Sequence, residues 1–159
     1  VVDVDNCLDG DGPFSPERAG SLPCGQLIDA CFSGKYTQAR LRKMVCGQGG
    51  YVAYLGTNDA YEVELRVKAG DEKAALIEQA MIYQVSKEVG AQATVLKGQV
   101  DAILVTGGIA RGKDFVEAIK ERVSFIAPVF VYPGEDEMKA LAMNAYMLHK
   151  GEIQARIYA

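Results

Sequence analysis

Val100-Asp-Ala-Ile-Leu-Val-Thr-Gly-Gly108 has the pattern of a buried β-strand that stops at a pair of glycines. Near-continuous apolar runs of this kind are typical of strands covered on both faces, and adjacent glycines end them. A helical pattern follows from about Lys113 to Val123. A second β-branched run, from Ile126 to Tyr132, is then closed by Pro133-Gly134.

A last helical pattern begins at Glu135-Asp136 and reaches His149. The final 60 residues therefore read strand, helix, strand, helix. This order predicts a parallel strand pair joined by a right-handed helical crossover. The fold class is α/β.

The earlier part of the chain is mostly helical by pattern. We expect helices from Gln26 to Phe32, from Tyr36 to Val45, from about Asn58 to Ala69 and from Glu72 to about Lys97. Tyr51-Val-Ala-Tyr-Leu55 predicts a short strand or, alternatively, a buried connection. The opening Val1-Val2-Asp3-Val4 has no Met and reads as the inside of a strand, so we expect a fragment of a longer protein.

Composition narrows the class of protein. The chain has 159 residues, a length typical of one domain. Its hydrophobic fraction of 49% is ordinary for a globular protein, and no apolar run reaches the roughly 18 residues of a membrane span. A net charge of -4 argues against a nucleic-acid partner.

Cysteine spacing and the single histidine argue against a transition-metal centre. The four cysteines, at 7, 24, 31 and 46, form no CxxC pair. We interpret them as reduced thiols of a cytoplasmic protein, while a carboxylate site for Mg²⁺ remains open.

A proline-rich segment precedes the first helix: Asp9-Gly-Asp-Gly-Pro-Phe-Ser-Pro-Glu-Arg-Ala-Gly-Ser-Leu-Pro23. Its prolines forbid a regular helix or central strand, so it is either a long ordered loop or disordered. Long loops in compact domains are usually functional. Arg18 within it either pairs with a neighbouring carboxylate or presents its guanidinium to a carboxylate or phosphoryl group.

Two turns and one helix start are candidate ligand sites, each with a simpler explanation. Gly107 and Gly108 would let a nucleotide lie against bare backbone, or they form a tight turn without a ligand. Asn58 and Asp59 would bind a ribose or base, or the segment only caps a helix through Thr57 or Asn58. Glu135, Asp136 and Glu137 suit the positive end of a helix dipole, or one of them holds Mg²⁺ through water.

Several long segments occur together in one order. They are Val2 to Asn6, Leu8 to Arg18, Cys31 to Tyr36, Val52 to Asp59, Val105 to Ile109 and Ser124 to Glu137. Together they resemble the butyrate kinase branch of the acetokinase family, in the acetate and sugar kinase/Hsp70/actin superfamily. The resemblance spans nearly the whole chain.

The resemblance implies a ribonuclease-H-like (actin-like ATPase) fold, with a mixed sheet and flanking helices. It implies that residues 1–159 are the C-terminal nucleotide-binding domain of a two-domain kinase, without the N-terminal domain, and that this domain forms a homodimer. Arg18 resembles the arginine that stabilises the transferring phosphoryl group. Gly107, Gly108 and Ile109 resemble the adenosine motif, with Asn58 and Asp59 across the nucleotide.

Glu135 or Glu137 resembles the glutamate linked to Mg²⁺, whereas Arg111 and Gly112 depart from the expected pattern after the adenosine motif. The implied reaction is reversible transfer of the γ-phosphoryl group of ATP to a short-chain carboxylate such as butyrate, giving an acyl phosphate and ADP. The isolated chain, which would supply only half of the cleft, is expected to be inactive. Two alternatives stay open: an ATP-binding domain of another superfamily member, and a non-catalytic dimerisation module.

Overall fold

The computed structural model describes residues 1–134 and 136–156 and has an α/β architecture. Its elements, in chain order, are α1 (Cys24–Phe32), α2 (Gln38–Val45), α3 (Gly50–Leu55), α4 (Ala60–Lys68), α5 (Glu72–Val95), β1 (Ile103–Gly107), a 3₁₀ turn (Gly108–Arg111), α6 (Lys113–Val123), β2 (Val129–Pro133) and α7 (Glu137–Lys150). Over these residues, no helix combines the length and the apolar character that crossing a membrane requires.

The strands β1 and β2 pair in parallel, from Ile103 opposite Val129 to Gly107 opposite Pro133. Helix α6 lies between them in the chain, so the predicted strand-helix-strand-helix order is confirmed. In the described residues the sheet has these two strands. Gly107 ends β1 and Gly134 follows β2, and the Gly134 N–H donates to the Gly107 carbonyl at 3.0 Å. The ends of the two strands are thereby held together.

The core lies where α4, α5 and α6 pack against each other and against one face of the sheet. In α4, α5 and α6 every third or fourth residue packs into the core, and alternate residues of β1 and β2 are less exposed than their neighbours. The fully buried side chains are Tyr51, Val63, Met81, Ile82 and Val123, with Ile119 at 2% exposure.

The predicted strand at Tyr51–Leu55 is wrong, because these residues form helix α3. A five-residue apolar run does not distinguish a strand from a buried helical turn by periodicity. Gly56 ends the helix in the left-handed conformation, with its N–H bonded to the Val52 carbonyl. Val1 to Val4 form no strand either, since none of the backbone segments that the structure describes pairs with them.

The proline-rich segment is an ordered loop, which confirms the first of its two interpretations. Phe14 is buried, with its ring edge-on to Tyr51 and Tyr54. The Phe14 N–H donates to the side-chain oxygen of Gln84 on α5 at 3.1 Å. One aromatic anchor and one backbone hydrogen bond therefore fix the loop to the longest helix.

Replacing Ile119 by alanine is expected to lower the free energy of unfolding by about 2–5 kcal/mol, because it leaves a cavity in the core. Leu76→Ala on α5 is the matched control. That side chain is 67% exposed, so its removal should change stability by less than about 0.5 kcal/mol. Urea unfolding followed by circular dichroism measures both. Equal losses would show that Ile119 is not a core residue.

Candidate nucleotide cleft

A cleft of about 970 Å³ opens at the carboxyl end of β1, beside the first residues of α4 and α6. Ligands of open α/β sheets characteristically bind at this end of the strands. The lining residues are Pro16, Tyr51, Asn58, Asp59, Ala60, Tyr61, Glu64, Lys68, Glu78, Gly107, Gly108, Ile109, Arg111, Gly112, Lys113, Asp114 and Phe115.

All five residues proposed from the sequence to contact a nucleotide line this cleft: Asn58, Asp59, Gly107, Gly108 and Ile109. The structure brings them together although about 50 residues separate the two groups. Gly107 has φ +91°, a conformation that favours glycine. No atom lies within 4 Å of the place where its β-carbon would stand, so this face of the turn is open to a ligand.

Asn58 and Asp59 have different local roles. The Asp59 carboxylate accepts the Tyr61 N–H at 2.9 Å and caps α4, so the expectation that Thr57 or Asn58 would be the cap is wrong. Asp59 takes this role because its side chain reaches the first free N–H groups of the helix. The Asn58 side-chain NH₂ donates to Glu17 Oε1 at 2.8 Å. Asn58 therefore joins the cleft to the proline-rich loop.

Arg18 lies in that loop, two residues beyond Pro16, which lines the cleft. Its N–H donates to Ser15 Oγ at 3.2 Å, and its backbone forms an antiparallel bridge with Cys46. Within residues 1–134 and 136–156 the Arg18 guanidinium forms no ion pair. The structure does not show the surface pairing with a neighbouring carboxylate that was one interpretation of the sequence.

Backbone hydrogen bonds hold the Arg18 loop against the segment before α3. The Glu17 carbonyl accepts N–H groups from Gly47 at 2.8 Å and from Gly49 at 3.0 Å, and the Pro16 carbonyl accepts from Val52 at 3.0 Å. Gly50 has φ +54°, and a β-carbon there would overlap the Ser15 carbonyl oxygen. The two backbones approach this closely because residue 50 has no side chain.

A charged cluster that the sequence analysis missed forms another part of the cleft. Lys68 pairs with Glu64 one turn earlier on α4 and with Asp114 on α6, the latter at 3.5 Å. Glu78 of α5 lies beside them: burial raises its pKa above the ordinary value, the nearby Glu64 and Asp114 raise it further, and Lys68 opposes this. The Glu64/Lys68 spacing of four residues was the sequence signal for one of these pairs. The contact with Asp114 had no local signal.

Tyr51 lies at the buried floor of the same cleft. Burial, followed by the negative charge of Glu78, raises the pKa of its hydroxyl above the ordinary value. Tyr51 therefore stays neutral at physiological pH. It provides an aromatic surface and an O–H group, and no charge.

One of the two metal-ligand candidates, Glu137, is described by the structure, and it does not line the cleft. Glu135 lies outside the described residues. Glu137 begins α7 and is absent from the cleft lining. Among the residues that the structure describes, no three metal-ligating side chains come together. A carboxylate is nevertheless an oxygen ligand of the kind Mg²⁺ prefers, and Mg²⁺ commonly needs only one or two of them beside substrate phosphates.

Sequence comparison identifies proteins that are similar to this chain. A probable butyrate kinase of Bacteroides thetaiotaomicron is 53% identical over 158 residues, and one of Listeria welshimeri is 52% identical over 158 residues. The chain is homologous to these butyrate kinases. The match covers 99% of the chain but only 45% and 44% of the two homologues, so the chain spans a little under half of their length. No family model matches the chain.

Structural comparison shows the fold of the chain. An acetate kinase of Porphyromonas gingivalis superposes with a TM-score of 0.73 at 21% identity, over 89% of this chain and 41% of that one. A propionate kinase of Francisella tularensis gives 0.68 at 21% identity, over 82% and 39%. The chain therefore has the acetate-kinase-like, actin-like ATPase fold that the sequence resemblance implied.

Gly50→Ala is expected to destabilise the chain more than Gly34→Ala, although both glycines have positive φ. At Gly34 no atom lies within 4 Å of an added β-carbon, so the cost is that of the left-handed conformation, about 1–2 kcal/mol. Gly50→Ala adds overlap with Ser15, worth about 1–3 kcal/mol more. Urea denaturation of both variants gives the difference. Equal losses would show that the loop is not held by this backbone approach.

Proposed function

We propose that this chain is the C-terminal, nucleotide-binding half of a two-domain kinase that transfers the γ-phosphoryl group of ATP to a short-chain carboxylate such as butyrate. The products are an acyl phosphate and ADP, and the reaction runs in both directions. One observation carries the proposal: the five residues predicted from the sequence to contact a nucleotide all line the cleft. The chain is also 53% identical in sequence to a probable butyrate kinase.

Phosphoryl transfer needs positioning and charge stabilisation more than covalent chemistry on the protein. The open turn at Gly107 and Gly108 receives the nucleotide at the strand end, and Asn58 and Asp59 approach it from the start of α4. Arg18 is the proposed phosphoryl-stabilising group. Its loop is fixed to the segment before α3 by the carbonyl groups of Glu17 and Pro16, so little reorganisation is needed as charge develops.

Magnesium would supply charge neutralisation on the nucleotide phosphates when bound. We propose Glu137, in the first turn of α7, as the described residue that would hold it through water. Its helix follows β2 by way of Gly134, which is bonded to the Gly107 turn. Glu135 was the other candidate from the sequence.

Two further properties belong to this proposal. The four cysteines are free thiols, which supports a cytoplasmic location, where thiols stay reduced. Leu104 and Phe130 are cross-strand neighbours that are 65% and 49% exposed. This uncovered apolar face of the sheet supports a homodimer through this domain, and light scattering of the purified chain tests it.

The purified 159-residue chain should form no acyl phosphate from butyrate, ATP and Mg²⁺ in a hydroxylamine-trapping assay. Holding both reactants in one cleft is worth about 7–11 kcal/mol of barrier, and this chain supplies one wall of that cleft. Activity of about 1–100 per second should return when the missing half of the homologous kinase is co-expressed. Full activity of the chain alone would contradict the two-domain proposal.

In the active two-domain form, Arg18→Ala should lower kcat by about 10³-fold or more, as is typical of a transition-state arginine. The KM for ATP should change much less, because the contact strengthens only as charge develops. Arg42→Ala is the control, since Arg42 is exposed on α2 and outside the cleft lining. A normal kcat for Arg18→Ala would remove Arg18 from the mechanism.

A further inference from the structure

Hydrogen bonds of two different kinds hold the loop that carries Arg18. Backbone carbonyl groups of Pro16 and Glu17 accept N–H groups from the segment 47–52. A side-chain bond joins the loop to the start of α4, where the Asn58 NH₂ group donates to Glu17 Oε1 at 2.8 Å. Among the hydrogen bonds of residues 1–134 and 136–156, this one alone links the loop to residues 56–60.

The Glu17–Asn58 bond lies on the surface, where both side chains are exposed. Water competes for both groups there, so the bond adds little to the stability of the fold. The backbone bonds of the loop do not involve the Glu17 side chain, since it is the carbonyl group of Glu17 that accepts from Gly47 and Gly49. Removing the carboxylate would therefore leave the loop folded and change how it is connected to α4.

That connection joins two groups with different proposed tasks. Asn58 lines the nucleotide cleft, and Arg18, next to Glu17 in the chain, is the proposed phosphoryl-stabilising group. Phosphoryl transfer needs reacting groups held in one geometry, and a displacement of about 1 Å can cost about 10²-fold in rate. A contact that fixes the loop relative to the nucleotide-binding wall therefore affects catalysis more than it affects folding.

The Glu17–Asn58 bond also has a defined polarity. An ionised carboxylate accepts hydrogen bonds and donates none, whereas an amide NH₂ group donates. Glu17→Ala removes the acceptor, whereas Glu17→Gln removes the charge and keeps a side-chain oxygen that accepts from Asn58. The two substitutions therefore separate a need for the hydrogen bond from a need for negative charge.

We propose that Glu17 is a positioning residue for phosphoryl transfer: its hydrogen bond with Asn58 fixes Arg18 relative to the nucleotide-binding wall of the cleft. This inference rests on the proposed function, since it takes Arg18 as the group that stabilises the transferring phosphoryl group. Glu17 touches no reacting atom in this role and acts through Arg18.

Kinetics of the active two-domain form test this role. Glu17→Ala should lower kcat about tenfold or more and raise the KM for ATP by less than about threefold, because the loss is felt as charge develops on the phosphoryl group. Glu17→Gln should recover most of kcat, since it keeps an acceptor for Asn58. Glu62→Ala is the matched control. Glu62 Oε2 accepts the Thr57 hydroxyl at 2.7 Å, a bond of the same kind that does not involve the loop, so kcat should stay unchanged.

Two double variants show whether the effect passes through the contact and through Arg18. At saturating ATP, Asn58→Asp should lower kcat because it places two carboxylates together. Glu17→Gln/Asn58→Asp should raise kcat at least about threefold above that single variant, since an amide again donates to a carboxylate, with the positions exchanged. In the Arg18→Ala background, Glu17→Ala should lower kcat by less than about twofold more, because the group that it positions is gone.

Several results would overturn the inference and leave the proposed function intact. A normal kcat for Glu17→Ala would show that the contact does not matter. Equal losses in Glu17→Gln and Glu17→Ala would show that Glu17 acts by its charge. Additive losses with Arg18→Ala would show that it does not act through Arg18. A lower urea midpoint for the Glu17→Ala chain would make the kinetic loss a folding effect.

A different result would refute the proposed function and the inference with it. That result is an unmodified two-domain form that is folded, as judged by circular dichroism, and that makes no acyl phosphate from butyrate, ATP and Mg²⁺.

Discussion

The close approach of two backbones, at Ser15 and Gly50, is the contact on which the candidate site depends. Residue 50 must lack a side chain, because a β-carbon would overlap the Ser15 carbonyl oxygen. This approach lets the Glu17 carbonyl reach the N–H groups of Gly47 and Gly49. The loop that carries Arg18 is thereby fixed by backbone hydrogen bonds, which are insensitive to the identity of most of its side chains. Arg18 therefore lies on a rigid support.

The same contact connects the loop to the rest of the cleft. Tyr51 follows Gly50 directly, and its buried ring packs on Phe14 of the loop and lines the cleft floor. The Glu17 carboxylate accepts a hydrogen bond from the Asn58 side chain at the start of α4. One short segment therefore positions the Arg18 loop, the cleft floor and one wall. The opposite wall depends on the turn at Gly107, which the parallel strand pair holds in place through Gly134.

Charged side chains from α4, α5 and α6 line one part of the cleft. Ion pairs at Lys68 tie α4 to α6 beside the partly buried Glu78, and Arg111 and Lys113 also line the cleft. The neutral Tyr51 lies near Glu78 and packs on Phe14 of the loop. A cleft that offers cations, carboxylates and bare backbone together fits a ligand that has both an anionic tail and an uncharged base. This is the physical link between the fold and proposed phosphoryl transfer from a nucleotide.

The sequence by itself determined the α/β class, the strand-helix-strand-helix order of the last 60 residues and the glycine turn, because apolar periodicity and glycine breaks are local signals. It also identified Asn58, Asp59 and the Gly107 turn as ligand candidates. The tertiary structure alone decided that Tyr51–Leu55 is a helix, since a run that short takes its conformation from its packing. It alone brought Asn58 to Glu17, 41 residues away, and Lys68 to Asp114. Contacts between distant residues depend on how helices pack, and no local pattern records them.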